Sequence, residues 1–504
     1  MSSNTIPNIK KRYFFKVTRS TIGAGLSVIT LPLITRSLGA EQYGIFNYLK
    51  IFFEQIIGFF GVFTSAFYPK LSKRPGDLGI LHFIVLYDMV LFIVSFFLLV
   101  LLFMSGNAET VLTVKSFTIA GSALLLVWLL HINQKMTSFM DALGKTITNE
   151  VVLMLMRITL TVGLVLLFVG DRLNLITFLH IQNATLVVFL LILLSFAVKY
   201  FSRSEKQSSV KHTAEEFKDY GMPLFWASAV GIVAGLGDRW LLQIFGGATE
   251  QGYYSLGFNL GAICFLLTGS FTPLLMREYA IAHEQNNTDR LAFLFSKYLP
   301  LFYVITATIA CFLTVHGDWL APLIGGGDFN KAALPVMLLG LAPIHQTFGQ
   351  LSGSLMTATD RTREYGGISM FHSILGLPVT YFVLAPETYW GLNLGATGLA
   401  IKLVVLQVIA VNIQLWYNTR QLGLEMRNLV GHQVLVVMLF LVFATIGKII
   451  VGASFGIGIV ALLASGILYF MFVVTIIFIF PSLISMSRLE LLNHIKTPSA
   501  FLKS

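Results

Sequence analysis

Apolar runs of about twenty residues recur along the whole chain, and a run of that length crosses the hydrocarbon core of a bilayer as one helix. The chain is 56% hydrophobic and 12% charged, whereas soluble domains carry about 25% charge. The sequence therefore predicts an all-α polytopic membrane protein. Fourteen spans are predicted, near 13–37, 44–69, 79–104, 114–133, 148–169, 175–198, 222–245, 252–276, 291–315, 332–357, 366–385, 395–416, 431–452 and 457–480.

The distribution of Lys and Arg orients these spans. The connections on one side contain only Arg172 and Lys331, whereas those on the other side hold basic groups such as Lys70, Lys73 and Arg74. Because cytoplasmic connections of membrane proteins are enriched in Lys and Arg, both termini are predicted to be cytoplasmic. The formal net charge of +10 then reflects these connections, and no nucleic-acid partner is expected.

A polar, glycine-rich corner follows the first span and recurs after the seventh. At one constant offset, identical residues pair Ser20 with Ser228, Gly23 with Gly231, Leu33 with Leu241, Gly39 with Gly247, Ala40 with Ala248, Gly44 with Gly252, Gly61 with Gly269, Phe63 with Phe271 and Thr64 with Thr272. Internal duplication is common among transporters. The pattern predicts a duplicated helical bundle.

The charged stretch between the sixth and seventh spans is the predicted boundary of this duplication. Because each copy contains six spans, the two copies share one orientation in the membrane. We predict an N-lobe at 1–200, a cytoplasmic linker at 201–220, a C-lobe at 221–418, two additional spans within 431–480 and a cytoplasmic tail at 481–504.

Charged side chains inside spans are costly in lipid and usually face a polar interior. The deeper cations are Arg19, Lys50, Arg157, Arg239, Lys297 and Lys402, and the deeper acids are Glu54, Asp88 and Asp238. A cavity lined by this set would be net positive and would attract an anion. Guanidinium groups suit phosphate oxygens because they form paired hydrogen bonds.

Simpler interpretations of these residues remain open. Lys50 and Glu54 are one helical turn apart and can neutralise each other, and Arg157 can pair with an acid such as Asp88. Adjacent residues such as Asp238 and Arg239 point to different faces of a helix. Three of the cations are shallow enough to reach the headgroups, and these are Arg19, Lys297 and Lys402.

No motif for chemistry is found in the sequence. It contains no phosphate-binding GxxxxGK loop, no nucleophile elbow and no paired Cys or His spacing for a metal. Cys264 and Cys311 lie within apolar runs, so neither a disulfide nor a metal site is expected. A transporter without catalytic residues, cofactor or metal is predicted, with Glu54, Asp88 and Asp238 as candidates for coupling to H⁺ or Na⁺ or for charge pairing.

Four segments resemble the Wzx-type polysaccharide flippases of the multidrug/oligosaccharidyl-lipid/polysaccharide (MOP) exporter superfamily. These segments are LITRSLGAEQYGIFNY at 33–48, GDRWLLQIFGGATEQGYYSLGF at 237–258, PLIGGGDFNKAALPVMLLGLAP at 322–343 and GLNLGATGLAIKLVV at 391–405.

This resemblance implies a MATE-like fold of two pseudo-symmetric six-helix lobes with two further C-terminal helices. It also implies translocation of undecaprenyl-pyrophosphate-linked oligosaccharide units to the outer leaflet by alternating access through a cationic central cavity, for O-antigen, capsule or exopolysaccharide synthesis. Arg19, Lys50, Arg157 and Arg239 fit the role of pyrophosphate ligands. The implied location is the bacterial inner membrane, and the implied protein partners are a polysaccharide polymerase and a chain-length regulator.

Three other functions stay open. A lipid II flippase and a cation-coupled multidrug exporter share the architecture, although the excess of cations disfavours a cationic substrate. A membrane glycan polymerase usually has a large outer loop with carboxylates or Arg, whereas the outer loops predicted here are short.

Overall fold

The computed structural model describes residues 9–74, 77–201 and 208–490. Residues 202–207 of the predicted linker and 491–504 of the predicted tail lie outside the described residues. The described part is helical and contains no strand. Its helices are α1 (Ile9–Gly61), α2 (Phe67–Lys73), α3 (Leu78–Met104), α4 (Ala108–Leu112), α5 (Phe117–Ala142), α6 (Thr146–Val169), α7 (Leu175–Phe201), α8 (Val210–Gly261), α9 (Phe265–Glu284), α10 (Thr288–Val315), α11 (Gly317–Gly325), α12 (Ala333–Ala358), α13 (Thr362–Leu384), α14 (Gly395–Leu422), α15 (Met426–Phe455) and α16 (Ile459–Ile479).

The helices confirm the predicted fold class, an all-α polytopic membrane protein with about fourteen spans. Within the described residues, eleven helical stretches are long and apolar enough to cross a membrane. Ten predicted spans each correspond to one helix. The other four predicted spans lie in two long helical stretches, because α1 continues into α2 and α8 continues into α9.

Both long helices, α1 and α8, bend at a glycine. Gly39 in α1 has φ 67° and ψ 178°, and Gly247 in α8 has φ 75° and ψ −174°. A positive φ combined with an extended ψ is a conformation that only glycine adopts without strain. The sequence duplication paired these same two glycines, and the backbone conformation is shared by both copies.

The two corners also contact each other through their backbones. A Cβ atom on Gly44 would lie 1.7 Å from the carbonyl oxygen of Ala248, and a Cβ atom on Gly252 would lie 2.1 Å from the carbonyl oxygen of Ala40. Since the duplication pairs Gly44 with Gly252 and Ala40 with Ala248, the contact is reciprocal. Glycine is required at both positions because any side chain would overlap the opposing backbone.

The chain forms two compact units, Met1–Gly252 and Tyr253–Ser504, called here the first and second units. The first unit has a core that includes Phe67 of α2, Ile80 of α3 and Phe217 of α8. Phe217 is fully buried although it lies in the predicted linker, so the beginning of α8 is part of this core. The predicted lobe boundaries remain a prediction.

The second unit has a core to which α10, α15 and α16 all contribute. Tyr303 of α10, Phe440 of α15 and Tyr469 of α16 are each at most 3% exposed. The hydroxyl of Tyr469 donates to the carbonyl of Thr308, at 2.9 Å. The two C-terminal helices are therefore integrated into the core of the second unit.

Candidate functional site

The structure places the predicted site residues in both units. Lys297 and Lys402 belong to the second unit, and the other predicted residues belong to the first. Each unit is considered separately, and the partner of each charged side chain shows how far its charge is already balanced.

Arg19 is balanced by an acid of its own unit. Its Nε atom lies 2.6 Å from Oε2 of Glu150, whose side chain is 2% exposed. Lys16, on the same face of α1, pairs with Asp141 at 2.8 Å, and Arg12 donates to Thr146 at 2.8 Å. These three basic residues join α1 to the corner between α5 and α6. This structural role could not be predicted from the depth of a charged residue in its span.

Lys50 and Glu54 lie 3.7 Å apart, with side chains 37% and 42% exposed. Such exposed pairs within one helical turn contribute little to stability. The pairing agrees with the simpler interpretation that the two side chains neutralise each other.

Arg239 connects the two sides of the kink in α8. It is 7% exposed, and its Nη1 donates to Oε1 of Gln251 at 3.2 Å. The amide nitrogen of Gln251 donates in return to the Arg239 carbonyl. Because Gly247 lies between them, this pair of hydrogen bonds fixes the angle of the corner. Asp238 and Arg239 have further interactions besides these.

The two cations of the second unit have different surroundings. Nζ of Lys297 lies 4.0 Å from Glu490 and 5.2 Å from the centre of the Phe293 ring. Lys402 on α14 is only 5% exposed, and its Nζ atom lies 3.2 Å from the position that a Cβ of Gly376 would occupy. Lys402 therefore packs against α13 and has a partner of its own.

Arg157 on α6 differs from the other predicted cations. It is partly buried, and its Nη2 donates to the hydroxyl of Ser27 on α1 at 2.7 Å. That hydroxyl in turn donates to the carbonyl of Gly23 at 2.8 Å. Within the described residues, Arg157 forms no ion pair with a carboxylate, so the alternative pairing with Asp88 is wrong.

The backbone next to Ser27 borders open space. A Cβ on Gly23 or Gly25 would meet no atom of the described residues within 4 Å. Arg157 thus presents a guanidinium whose described partner is neutral, beside a surface of α1 that leaves room for a ligand. An anion with several oxygens could accept its remaining N–H groups.

Asp88 on α3 is paired with residues that the sequence analysis did not assign to a site. Its Oδ1 lies 2.5 Å from Nζ of Lys135 and 3.5 Å from Nε2 of His131. Lys135 was expected in the connection after the span 114–133, but α5 continues to Ala142. The spacing of Trp128, His131 and Lys135 on one helical face was the signal available in the sequence.

Metal ligands are not grouped in the described part of the chain. No cluster of three or more His, Cys, Asp or Glu side chains occurs among those residues. Cys264 and Cys311 are buried free thiols.

Comparison with known proteins gives a family match and several structural relatives. Residues 9–277, more than half of the chain, match the sequence pattern of the family described as polysaccharide biosynthesis protein. No curated protein sequence matches the chain.

Three solved structures similar to the chain are transporters. The lipid II flippase MurJ in an inward closed conformation superposes with a TM-score of 0.64 at 13% identity, covering 92% of this chain and 98% of that one. An outward-facing multidrug resistance MATE family transporter of the MOP superfamily gives 0.56 at 11% identity, covering 83% and 97%. A MOP superfamily transporter from Pyrococcus furiosus gives 0.54 at 12% identity, covering 82% and 96%. At these identities the similarity establishes the fold.

Proposed function

Because the chain belongs to the polysaccharide biosynthesis protein family, we propose that it is a flippase for undecaprenyl-pyrophosphate-linked oligosaccharide repeat units. The family and the MOP superfamily fold agree with the expectation of a transporter rather than an enzyme. The proposed direction is from the cytoplasmic to the outer leaflet, with both termini in the cytoplasm of a bacterial inner membrane.

The observation that carries this proposal is the state of Arg157. A partly buried guanidinium without a described carboxylate partner, next to open space at Gly23, is a binding group for a phosphate. Five of the six predicted cations have a partner that limits this role: Arg19 has Glu150, Lys50 has Glu54, Arg239 has Gln251, Lys297 has Glu490, and Lys402 is buried against α13 with a partner of its own. The pyrophosphate is therefore proposed to bind first at Arg157.

The charge of the headgroup also gives the transfer a direction. In a cell whose interior is negative, moving about two negative charges outward gains on the order of 4–5 kcal/mol per 100 mV.

The test is transport of a labelled lipid-linked oligosaccharide by the full chain in proteoliposomes, with an enzyme added outside to report the leaflet. Arg157→Gln is expected to lower the rate by about 10- to 100-fold, since a hydrogen bond to a charged group contributes about 1.5–3 kcal/mol. Arg157→Lys should retain more activity because it keeps the charge.

Lys50→Gln is the matched control, because Lys50 is a cation of the same unit that already has an acid partner. It is expected to transport within about twofold of the unsubstituted chain. Equal rates for the unsubstituted chain and Arg157→Gln would contradict the proposed site.

Two further substrates separate the alternative functions in the same vesicles. Transport of lipid II alone would identify a lipid II flippase, and transport of organic cations alone would identify a multidrug exporter. Lengthening of the glycan without a change of leaflet would identify a polymerase. Each of these outcomes would overturn the proposal.

A further inference from the structure

A second charged cluster in the first unit consists of Asp88 on α3 with His131 and Lys135 on α5. The side chains are 2%, 18% and 13% exposed. By the helical rise, Asp88 lies roughly 15 Å from the nearer end of α3, and Lys135 lies roughly 10 Å from the nearer end of α5. The cluster is therefore well inside two membrane-spanning helices, where unbalanced charge is expensive.

The backbone and neighbouring helices hold this cluster in place. Trp128 donates its indole N–H to the Asp88 carbonyl at 3.2 Å, which fixes α5 against α3. A Cβ on Gly61 would lie 3.3 Å from Cε1 of His131, so the imidazole lies between α3 and the end of α1. The imidazole therefore has little freedom to turn away from the carboxylate.

Two bases share a single carboxylate oxygen. Oδ1 of Asp88 accepts a hydrogen bond from Lys135, and Nε2 of His131 faces the same oxygen at 3.5 Å. This Nε2 atom is buried and has no hydrogen-bond partner among the described residues. A buried polar atom left without a partner is uncommon and calls for an explanation.

The charges of the cluster explain why Nε2 of His131 is left without a hydrogen-bond partner. Asp88 and Lys135 balance each other, so an uncharged His131 leaves the cluster neutral. A proton gained by the imidazole makes both ring nitrogens donors and creates a second cation that competes for Asp88.

From this geometry we infer that Asp88, His131 and Lys135 form a proton-binding site, with the exchangeable proton on His131. Proton uptake weakens the bond between Asp88 and Lys135, and therefore the attachment of α3 to α5. As the coupling site of transport, the cluster depends on the proposed function, whereas its ability to bind a proton does not.

The ligands favour a proton over a sodium ion. Alkali and alkaline-earth cations are bound by several oxygen atoms, whereas this cluster offers one carboxylate and two nitrogen bases. Lys135 already occupies the position that a metal cation would take at Oδ1.

The other titratable side chains around α5 have their own contacts. Tyr87 of α3 donates its hydroxyl to the Phe60 carbonyl. On the remaining helices of the first unit, Lys70 binds Glu216, Lys50 pairs with Glu54, Glu150 pairs with Arg19, Arg157 binds Ser27, and His82 and His180 are exposed.

The direct test is the histidine ¹⁵N NMR spectrum of the full chain in lipid nanodiscs, recorded against pH. The His131 signal is identified by its absence in His131→Asn. We expect this signal to change reversibly when the pH is varied between about 5 and 8, the range in which histidine side chains ordinarily change charge. A His131 signal that stays unchanged across that range would overturn the inference.

Two substitutions test whether the three residues act together. Lys135→Met removes the competing cation and is expected to raise the midpoint by about one pH unit, whereas Asp88→Asn removes the attracting anion and is expected to lower it. His82→Asn, a change at an exposed histidine on α3, the helix of Asp88, should leave the midpoint unchanged. Midpoints that do not move with either substitution would show a lone histidine instead of a shared site.

Transport measured with and without an imposed pH gradient completes the test. The unsubstituted chain should respond to the gradient by about fivefold or more, and His131→Asn should lose this response. If His131 titrates but no lipid-linked glycan moves, the proposed function fails and the proton site stands. If the glycan moves and both variants respond equally to the gradient, the site has no role in coupling.

Discussion

At the scale of single residues, the partner of a buried cation decides what the cation can do. Depth in a span, which the sequence gives, placed Arg19 and Arg157 in the same group. Arg19 is paired with Glu150 and Arg157 is bound to a hydroxyl. Both contacts join α1 to α6, so the distinction depends on how these two helices are aligned against each other, and one sequence does not contain that information.

The same limit applies to the acids. Asp88 was identified as a deep carboxylate, but both of its basic partners come from α5. Lys135 was missed because the apolar run ended before the helix did. Helices of membrane proteins continue into polar sequence when their polar residues have partners in the protein. The last residue of an apolar run is therefore not necessarily the last residue of the helix.

Glu216 allows a prediction about pH at the beginning of α8. Hydrogen bonds from Arg74 and Lys70 lower the pKa of its carboxyl to about 2, below the usual value of about 4.3. The pairing therefore stabilises the fold above about pH 4, and this contribution is lost as the pH falls toward 2. The protection of the amides of residues 208–220 against hydrogen exchange, relative to an unfolded chain at the same pH, should fall across that interval.

Glu216→Gln should show the faster exchange already at pH 7, with little further change on acidification. The matched control is Glu215→Gln, because Glu215 is an exposed neighbour and its change should leave exchange as in the unsubstituted chain. Equal exchange in Glu216→Gln and the unsubstituted chain at pH 7 would contradict this account.

At the scale of the helices, the duplication was the most informative part of the sequence. Pairing Gly39 with Gly247 predicted a corner that recurs, and both glycines have the same unusual backbone conformation. The contact between the corners was not predicted, because identical residues in two copies do not show which residues touch.

Substitution by alanine should change stability in opposite directions at glycines within this contact and at glycines away from it. Gly44→Ala and Gly252→Ala place a methyl group on an opposing carbonyl and should lower the free energy of unfolding by about 1–3 kcal/mol. The repeat-related Gly23 and Gly231 border open space. Alanine there should leave stability unchanged or raise it by up to about 1 kcal/mol, because glycine is a poor helix former.

Thermal unfolding of the four purified variants in one detergent is the measurement. A loss of stability of the same size in all four would mean that glycine matters at these positions through helix propensity alone.

At the scale of the whole molecule, hydropathy predicted the number and positions of the spans because the cost of exposing polar backbone to lipid depends on composition. The packing of those spans depends on side-chain shape. The last two spans, which were predicted to lie outside the duplication, contribute Phe440 and Tyr469 to the core of the second unit.

Replacement of Phe440 tests how strongly α15 supports that core. Phe440→Ala removes a fully buried ring and should lower the free energy of unfolding by about 3–5 kcal/mol. Phe455→Ala, on the same helix but 64% exposed, should have a much smaller effect. The stability of both variants is measured by thermal unfolding. Losses of stability of similar size in the two variants would show that the ring of Phe440 does not support the core.

The reciprocal contact between the two glycine corners has a consequence for biosynthesis. The ribosome makes Gly44 long before it makes Ala248 and Gly252, and early segments of a chain begin to fold while later ones are still being synthesised. The Ala40 carbonyl at the corner of α1 therefore lacks its contact with Gly252 until most of α8 has been made. A chain stalled before that point is expected to be an early substrate for quality-control proteases.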